Sequence, residues 1–426
     1  MTGETSGPPD THEGTDAGRS VRPDAAVRGL FITSGLVIAA FFPFLALYLD
    51  DKGLTESEIG LVIAAMAVAR VVLNPVWGHV SDSVLGRRTA LQVGLVAASV
   101  CALLLAAADG LAGVAIAGFL LAGAMVTLGP NIDAITLEHL GAERMSDYGR
   151  IRSWESFTYA IGCLVLGLVF QAWGVGWAMP AYAVASVGVF AWSFTLPHDA
   201  PAHLDPGSGR LGTVGAVFRE APRFWVFLVA LFLVWTGFNA AWNFISLKIA
   251  SEGGGPLLIG IGTALGGVVE VPMMRSSSRL QRRYGLRRVY ALGCTIYAAG
   301  FLLWGSISNP TIVSLLTVFE GMAFSLLFTT GVVVVGRLLP SSLYSTGNSV
   351  AQMVGFGLGP ILGAGVGGFV YQHLGPTVLY SSASALALGG ATVAWFALAT
   401  PELDEPLTDA DDLPADTAAA PPEPLG

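Results

Sequence analysis

The chain has 426 residues, 53% of them apolar and 12% charged, with a mean hydropathy of +0.66. That balance excludes a set of soluble domains, because too few polar side chains remain to coat their cores. The formal charge of −9 says little about partners. Residues 1–26 carry five acids against two arginines and residues 401–426 carry eight acids and no base, which leaves +2 on the rest.

Both tails are rich in Pro, Asp, Glu, Ala and Thr and read as disordered ends. The first 26 residues lack the basic start and apolar core of a cleavable signal, so the first apolar run is expected to serve as an uncleaved insertion signal. Apolar runs then fall near 28–49, 58–79, 89–108, 112–136, 153–173, 177–196, 223–248, 256–276, 287–306, 310–334, 345–370 and 376–398. Each has the length a helix needs to cross about 30 Å of hydrocarbon. All twelve are expected to be helical, since backbone in lipid must bond within its own segment. The 54 glycines suit close helix packing.

The polar segment 199–222 interrupts this rhythm and divides the chain. The expected layout is a tail over 1–27, a six-helix bundle over 28–198, a cytoplasmic linker over 199–222, a second bundle over 223–400 and an acidic tail over 401–426. With both tails in the cytoplasm, the inside segments hold 18 of the 21 Lys and Arg residues. Outside loops hold only Lys52 and Lys248, and Arg70 lies within a span. This asymmetry predicts a multi-pass protein of the cytoplasmic membrane with both termini inside. Cys101, Cys163 and Cys294 stand in separate apolar runs with no metal or disulfide spacing, and read as packing residues.

Two intramembrane charges occupy matching places. Arg70 in IGLVIAAMAVARVVLNPVWG and Glu270 in IGIGTALGGVVEVPMMRSSS align without a gap from Gly60 and Gly260. A charge in mid-membrane is costly and faces protein, water or a partner charge. Opposite charges at equivalent sites of a duplicated chain point to a polar pathway between its halves, the architecture of secondary transporters.

The segment after the second run, Gly78-His79-Val80-Ser81-Asp82-Ser83-Val84-Leu85-Gly86-Arg87-Arg88, resembles the cytoplasmic signature of the major facilitator superfamily. It departs from that pattern by one extra residue before Gly86 and by Ser83 in place of a base. Further stretches are similar to the phenylpropionate-permease-like group, related to the lactose and nucleoside proton symporters. These are Leu54-Thr55-Glu56-Ser57-Glu58-Ile59-Gly60, Tyr148-Gly149-Arg150-Ile151-Arg152-Ser153-Trp154, Glu270-Val271-Pro272, Arg282-Arg283-Tyr284-Gly285, Glu320-Gly321-Met322-Ala323-Phe324 and Ser345-Thr346-Gly347-Asn348. Glu320 stands where that group often has His, and Glu155 where a small residue is common. The resemblance implies an all-α membrane fold of twelve helices in two pseudo-symmetric six-helix bundles, with alternating access and proton-coupled symport of a small organic solute. It also makes Gly78, Asp82, Gly86, Arg87, Arg88, Arg150 and Arg152 the expected cytoplasmic gate.

Within that frame Glu270 is the foremost proton-binding candidate, because a desolvated carboxylate in mid-span can take up and release a proton. A fixed ion pair is the structural alternative. Arg70 can anchor an anion or pair with Glu320 or Asp133. Glu320 lies at mid-depth of the tenth span, while Asp133 sits nearer the cytoplasmic end of the fourth. Glu155 is expected close to a helix N-terminus, where an acid is favoured. Asn239, Trp242 and Asn243, with Trp235, share one face of the seventh span and suit a sugar ring or an aromatic acid, or else form a packing face. Asn348 and Gln352 share a face of the eleventh span and read as substrate contacts or as bridges between helices.

No phosphate-cradling loop, metal cluster or nucleophile–base set stands in the sequence. The expectation is a monomeric transporter, not an enzyme, with no cofactor, no metal and no nucleic-acid partner; its partners are a small organic solute, protons and the bilayer. An exporter of the same fold is the nearest rival, although the fourth span has no basic residue and the fifth lacks a Gly-Pro pair. A non-transporting receptor or scaffold is the rival of another class.

Overall fold

The computed structural model describes residues 23–141, 144, 147–196, 221–400 and 403. The expected tails, apart from residues 23–27 and 403, and most of the expected linker lie outside the described residues. Among the described residues there are twelve helices long and apolar enough to cross a membrane, and no strand. They are α1 (Asp24–Phe41), α2 (Glu56–Leu85), α3 (Arg87–Ala107), α4 (Gly110–Leu140), α5 (Tyr148–Trp173), α6 (Val175–Ser193), α7 (Pro222–Ser251), α8 (Pro256–Tyr284), α9 (Leu286–Ser306), α10 (Pro310–Leu338), α11 (Thr346–Leu374) and α12 (Pro376–Ala397).

The helices pack in two rings. In the first, neighbours run α2, α4, α3, α6, α1, α5; in the second, α8, α10, α9, α12, α7, α11. The second order is the first with every helix number raised by six. Backbone detail repeats as well. After α1 the chain turns at 42–44 and resumes as Leu45–Asp51 behind Phe44; α7 is interrupted at 243–244 and resumes as Ile245–Ser251 behind Phe244. Left-handed glycines recur in pairs, Gly53 with Gly253, Gly86 with Gly285 and Gly174 with Gly375. Each sits where the chain leaves one helix for the next, a backbone shape that a side chain would strain. This is a major-facilitator architecture of two pseudo-symmetric six-helix bundles.

The bundles meet along two seams, α2 on α11 and α5 on α8. Glycine sets both. A Cβ on Gly60 would come within 2.5 Å of the Ala364 carbonyl oxygen of α11, and one on Gly260 would overlap the Cys163 carbonyl of α5. The two glycines that align in the sequence are thus points of close backbone approach between the halves.

These seams lie toward one side of the molecule, the far side, which carries the α1–α2 and α7–α8 connections. There the Ser57 amide of α2 donates to Gln372 Oε1 of α11 at 3.1 Å, and the Leu257 amide of α8 donates to Gln171 Oε1 of α5 at 3.5 Å. On the opposite, arginine-rich side the same helices come apart. Residues 74–76, 78 and 79 of α2 and 149, 150, 152–154, 156 and 157 of α5 are exposed around most of the helix circumference. The molecule is closed on the far side and open on the arginine-rich side.

Candidate functional site

The charged candidates gather where the seams end and the opening begins. Glu270 lies fourteen residues into α8, about 21 Å along the helix axis. Glu320 is set on α10 by the crossing of that helix over α8: Gly321 packs on Gly266, and a Cβ on Gly266 would come within 3.1 Å of Glu320 Oε2. The Ser325 hydroxyl of α10 donates to the Glu270 carbonyl at 3.0 Å, holding the two helices in register. Both carboxylates are half-buried and within electrostatic reach of each other. The phenols of Tyr159 on α5 and Tyr297 on α9 lie within the same reach of both acids. Tyr297 is buried, and its hydroxyl has no hydrogen-bond partner among the described residues.

Across the opening, α5 supplies the counter-charge. Arg152 is 54% exposed, lies 4.0 Å from Asp133 of α4, and acts electrostatically on both Glu270 and Glu155. Asp133 also accepts from the Tyr148 hydroxyl at 2.7 Å. One guanidinium therefore stands between an acid of its own bundle and an acid of the other.

Of the two readings of Arg70, pairing with an acid is not met. Among the described residues no carboxylate lies within salt-bridge distance of it, so it pairs neither with Glu320 nor with Asp133. Its Cζ lies 5.8 Å from the centroid of the Phe42 ring. The turn at 42–44 aims that ring at the seam, where Phe42, Trp242, Asn243, Thr263 and Thr317 line a cavity of about 340 Å³. Thr317 and Thr263 stand one turn from Glu320 and Gly266, so this cavity adjoins the acid pair.

Glu155 also needs correction. Because α5 begins at Tyr148, it sits two turns into the helix and does not cap its N-terminus. It accepts from the Ser34 hydroxyl of α1 at 2.7 Å. The polar face on α7 divides too. Trp235 is buried against Phe356 at 4.6 Å, while Trp242 stacks on Phe238 and tilts toward Trp304. Asn239 and Asn243 donate to the carbonyls of Trp235 and Asn239. Asn348 and Gln352 line a separate cleft of about 350 Å³ with Trp235, Phe328 and Phe356.

At the arginine-rich side the signature residues form a strap. Ser81 donates to Asn131 of α4, Arg87 pairs with Asp82 at 3.4 Å and Glu138 at 2.9 Å, and Arg88 donates to the Leu196 carbonyl beyond α6 at 2.6 Å. Gly86 takes φ 77° to begin α3, and Gly78 is exposed on α2. Arg150 pairs with Asp147 at 3.0 Å, outside the acid cluster. Among the described residues no cluster of His, Cys, Asp or Glu could hold a metal ion.

The sequence reading did not single out Tyr159, Tyr297, Ser34 or Phe42. Only Phe42 had a signal: it stands 200 positions before Trp242, and aligning the repeats would have found it.

Residues 30–382 match the model of the MFS_1 like family. The chain is 26% identical over 353 residues to the maltose permease of Geobacillus stearothermophilus, covering 80% of this chain and 87% of that protein. It is 27% identical over 188 residues to the quinolone resistance protein NorA of Staphylococcus aureus, 43% of this chain and 46% of that one. Its backbone resembles that of the nucleoside transporter NupG, with a TM-score of 0.79 at 16% identity over 89% of this chain and all of that structure. Twelve spans, two seams, a polar site between them and a family match over most of its length lead to one conclusion: this chain belongs to the MFS_1 like family and is a multi-pass membrane transporter of the major facilitator type, not an enzyme.

Proposed function

We propose that this chain is a proton-coupled symporter, carrying a small organic solute across the cytoplasmic membrane by alternating access. The observation that supports this reading is the acid pair Glu270 and Glu320, set at the seam of the bundles and faced by Arg152 from the other half. The arginine-rich side is cytoplasmic, as the charge asymmetry requires, so the conformation described above faces inward. One chain contains the whole pathway and works as a monomer.

The charges suggest how a proton gates the pathway. Ionised Glu270 attracts Arg152 and draws α5 toward α8, closing the inner side. A proton on Glu270 removes the attraction, Arg152 falls back to Asp133, and the inner side opens. Protonation outside therefore favours release inside, which is the direction of uptake. Glu320 shares the proton with Glu270, because two neighbouring carboxylates do not ionise independently. Arg70, always charged, holds an anionic or strongly polar group of the solute beside Phe42.

The test is flux into proteoliposomes containing a pH dye. Wild-type protein should acidify the lumen as solute enters, and folded Glu270→Gln should move solute without protons or not at all. Full pH-dependent uptake by Glu270→Gln removes this reading. Solute movement against the inward proton flow would instead favour export, the reading that the partial likeness to NorA supports.

A further inference from the structure

The cleft of about 350 Å³ that holds Asn348 and Gln352 lies apart from the acid pair and has a different character. In the second ring α7 adjoins α11 and α10 adjoins α8, so the gap between α10 and the α7–α11 pair faces the first bundle. The rim of the cleft touches the seam, because a Cβ on Gly357, beside Phe356, would come within 2.9 Å of Val71 on α2. The cleft is a recess in the wall of the central pathway.

Its shape comes from an irregularity that the equivalent helix of the first bundle lacks. Residues Val354–Leu358 of α11 form a π-helical turn, whereas α5, its counterpart, is continuous α-helix from Tyr148 to Trp173. Pro360 has no amide hydrogen to give, which frees the carbonyl four residues earlier and permits the wider turn. Single π-turns within α-helices are frequent at functional sites. Here the turn carries Phe356, 44% exposed, to within 4.6 Å of the Trp235 ring. Gly355 and Gly359 make room, since a Cβ at either would come within 3.0 or 3.1 Å of Trp235. On the facing helix Phe328 stacks on Phe324 at 5.7 Å and 6°, one turn from Glu320. A row of rings thus leads from the acids into the recess.

We propose that this recess binds a planar aromatic ring system of the transported solute, with Asn348 and Gln352 reading one hydrogen-bonding edge of that ring. Aromatic faces at Trp235, Phe328 and Phe356 receive a flat ring in offset or edge-on contact. Two amides supply donors and acceptors along a single side of the recess, the pattern of a site that fixes orientation with few polar groups. A disaccharide here would press hydroxyls against Leu231, Phe328 and Phe356 with no partners, an unfavourable exchange of water for apolar surface. This assignment rests on the reading of the chain as a transporter of a small organic solute, and not on its coupling to protons.

The experiment uses the purified full chain in two assays. Thermal melting is followed with benzoate, indole-3-carboxylate, adenosine and maltose, and labelled members of the same panel are offered in counterflow. Counterflow needs no proton gradient, so its outcome stands whichever way the pH-dye measurement falls. At least one aromatic compound should raise the melting temperature and exchange, and maltose should do neither. Phe356→Ala and Gln352→Leu should each weaken that compound about tenfold, and Gln352→Leu should also reorder the preference among ring-edge groups. If Phe356→Ala does not fold, Phe356→Leu keeps the bulk, removes the ring face and carries the same expectation. Protection by maltose alone, protection by no member of the panel, or unchanged affinity in the variants overturns the assignment.

Discussion

The two bundles share a backbone and differ in chemistry. Ring order, the helix breaks behind Phe44 and Phe244, and the paired left-handed glycines coincide to within a residue of the same offset. At the matching positions 70 and 270, however, one half places a guanidinium over a phenyl ring and the other a carboxylate beside a second acid. The seams are also alike, Gly60 on α11 and Gly260 on α5, while the equivalent helices α5 and α11 are not, since α11 carries a π-turn at Val354–Leu358 and α5 is continuous α-helix. What must move symmetrically has stayed symmetric. The charged and aromatic groups that line the space between the halves have diverged.

The sharpest way to break the symmetric part is to fill its contact points. Gly260→Leu or Gly60→Leu places a side chain where a backbone carbonyl already sits. Overpacking of this kind costs about 1–3 kcal/mol and here falls only on the state closed on the far side. Both variants should fold, abolish net uptake, and become labelled by membrane-impermeant thiol reagents at cysteines placed on far-side residues of α2 or α8. Retained uptake in both would separate the glycines from gating. The next largest effect tests the divergent part. Exchanging the charges as Arg70→Glu with Glu270→Arg keeps the net charge and the repeat positions. It should still lose proton-coupled flux, because position 270 faces Arg152 and position 70 faces Phe42. Recovery of flux in the double variant would mean that charge balance alone matters.

The sequence carried most of the first kind of information and part of the second. Length, hydropathy and loop charge gave twelve spans because lipid imposes length and polarity rules that hold for each helix separately. The alignment from Gly60 and Gly260 showed the duplication and paired Arg70 with Glu270, but it did not show that these glycines form the seams. Partners were the weak point. Arg70 had been read as an anion anchor or as an acid's partner, and the turn at 42–44 sets a ring rather than an acid beside it; Glu155 had been expected at a helix end, and an earlier start to α5 sets it against Ser34. Which side chains meet across a bundle depends on helix rotation and on breaks such as the π-turn, which hydropathy does not encode. The signature loop was legible in the first half alone, yet its second copy is present. Arg287 donates to the Trp395 carbonyl at 2.8 Å and lies 3.9 Å from that ring, as Arg88 binds the Leu196 carbonyl and faces Phe194.

The smallest effects come from these paired polar contacts, where the symmetry makes a quantitative demand. Gln171 and Gln372 stand at equivalent places in α5 and α11, and each accepts an amide from the first turn of the opposite bundle's helix, α8 or α2. The two caps are not equally needed. Thr55 already forms a capping box with Glu58 at the start of α2, whereas Gly255 gives α8 no side-chain cap of its own. Loss of a single hydrogen bond costs about 0.5–1.5 kcal/mol. Gln171→Ala should therefore open the far side more than Gln372→Ala, and the double variant should approach the sum, since the two sites share no partner. Distance measurements between spin labels on the far-side ends of α2 and α11 and of α5 and α8 would read the shift. Equal shifts would mean that α8 needs no help from Gln171. A larger shift from Gln372→Ala would place the weaker latch on the other seam.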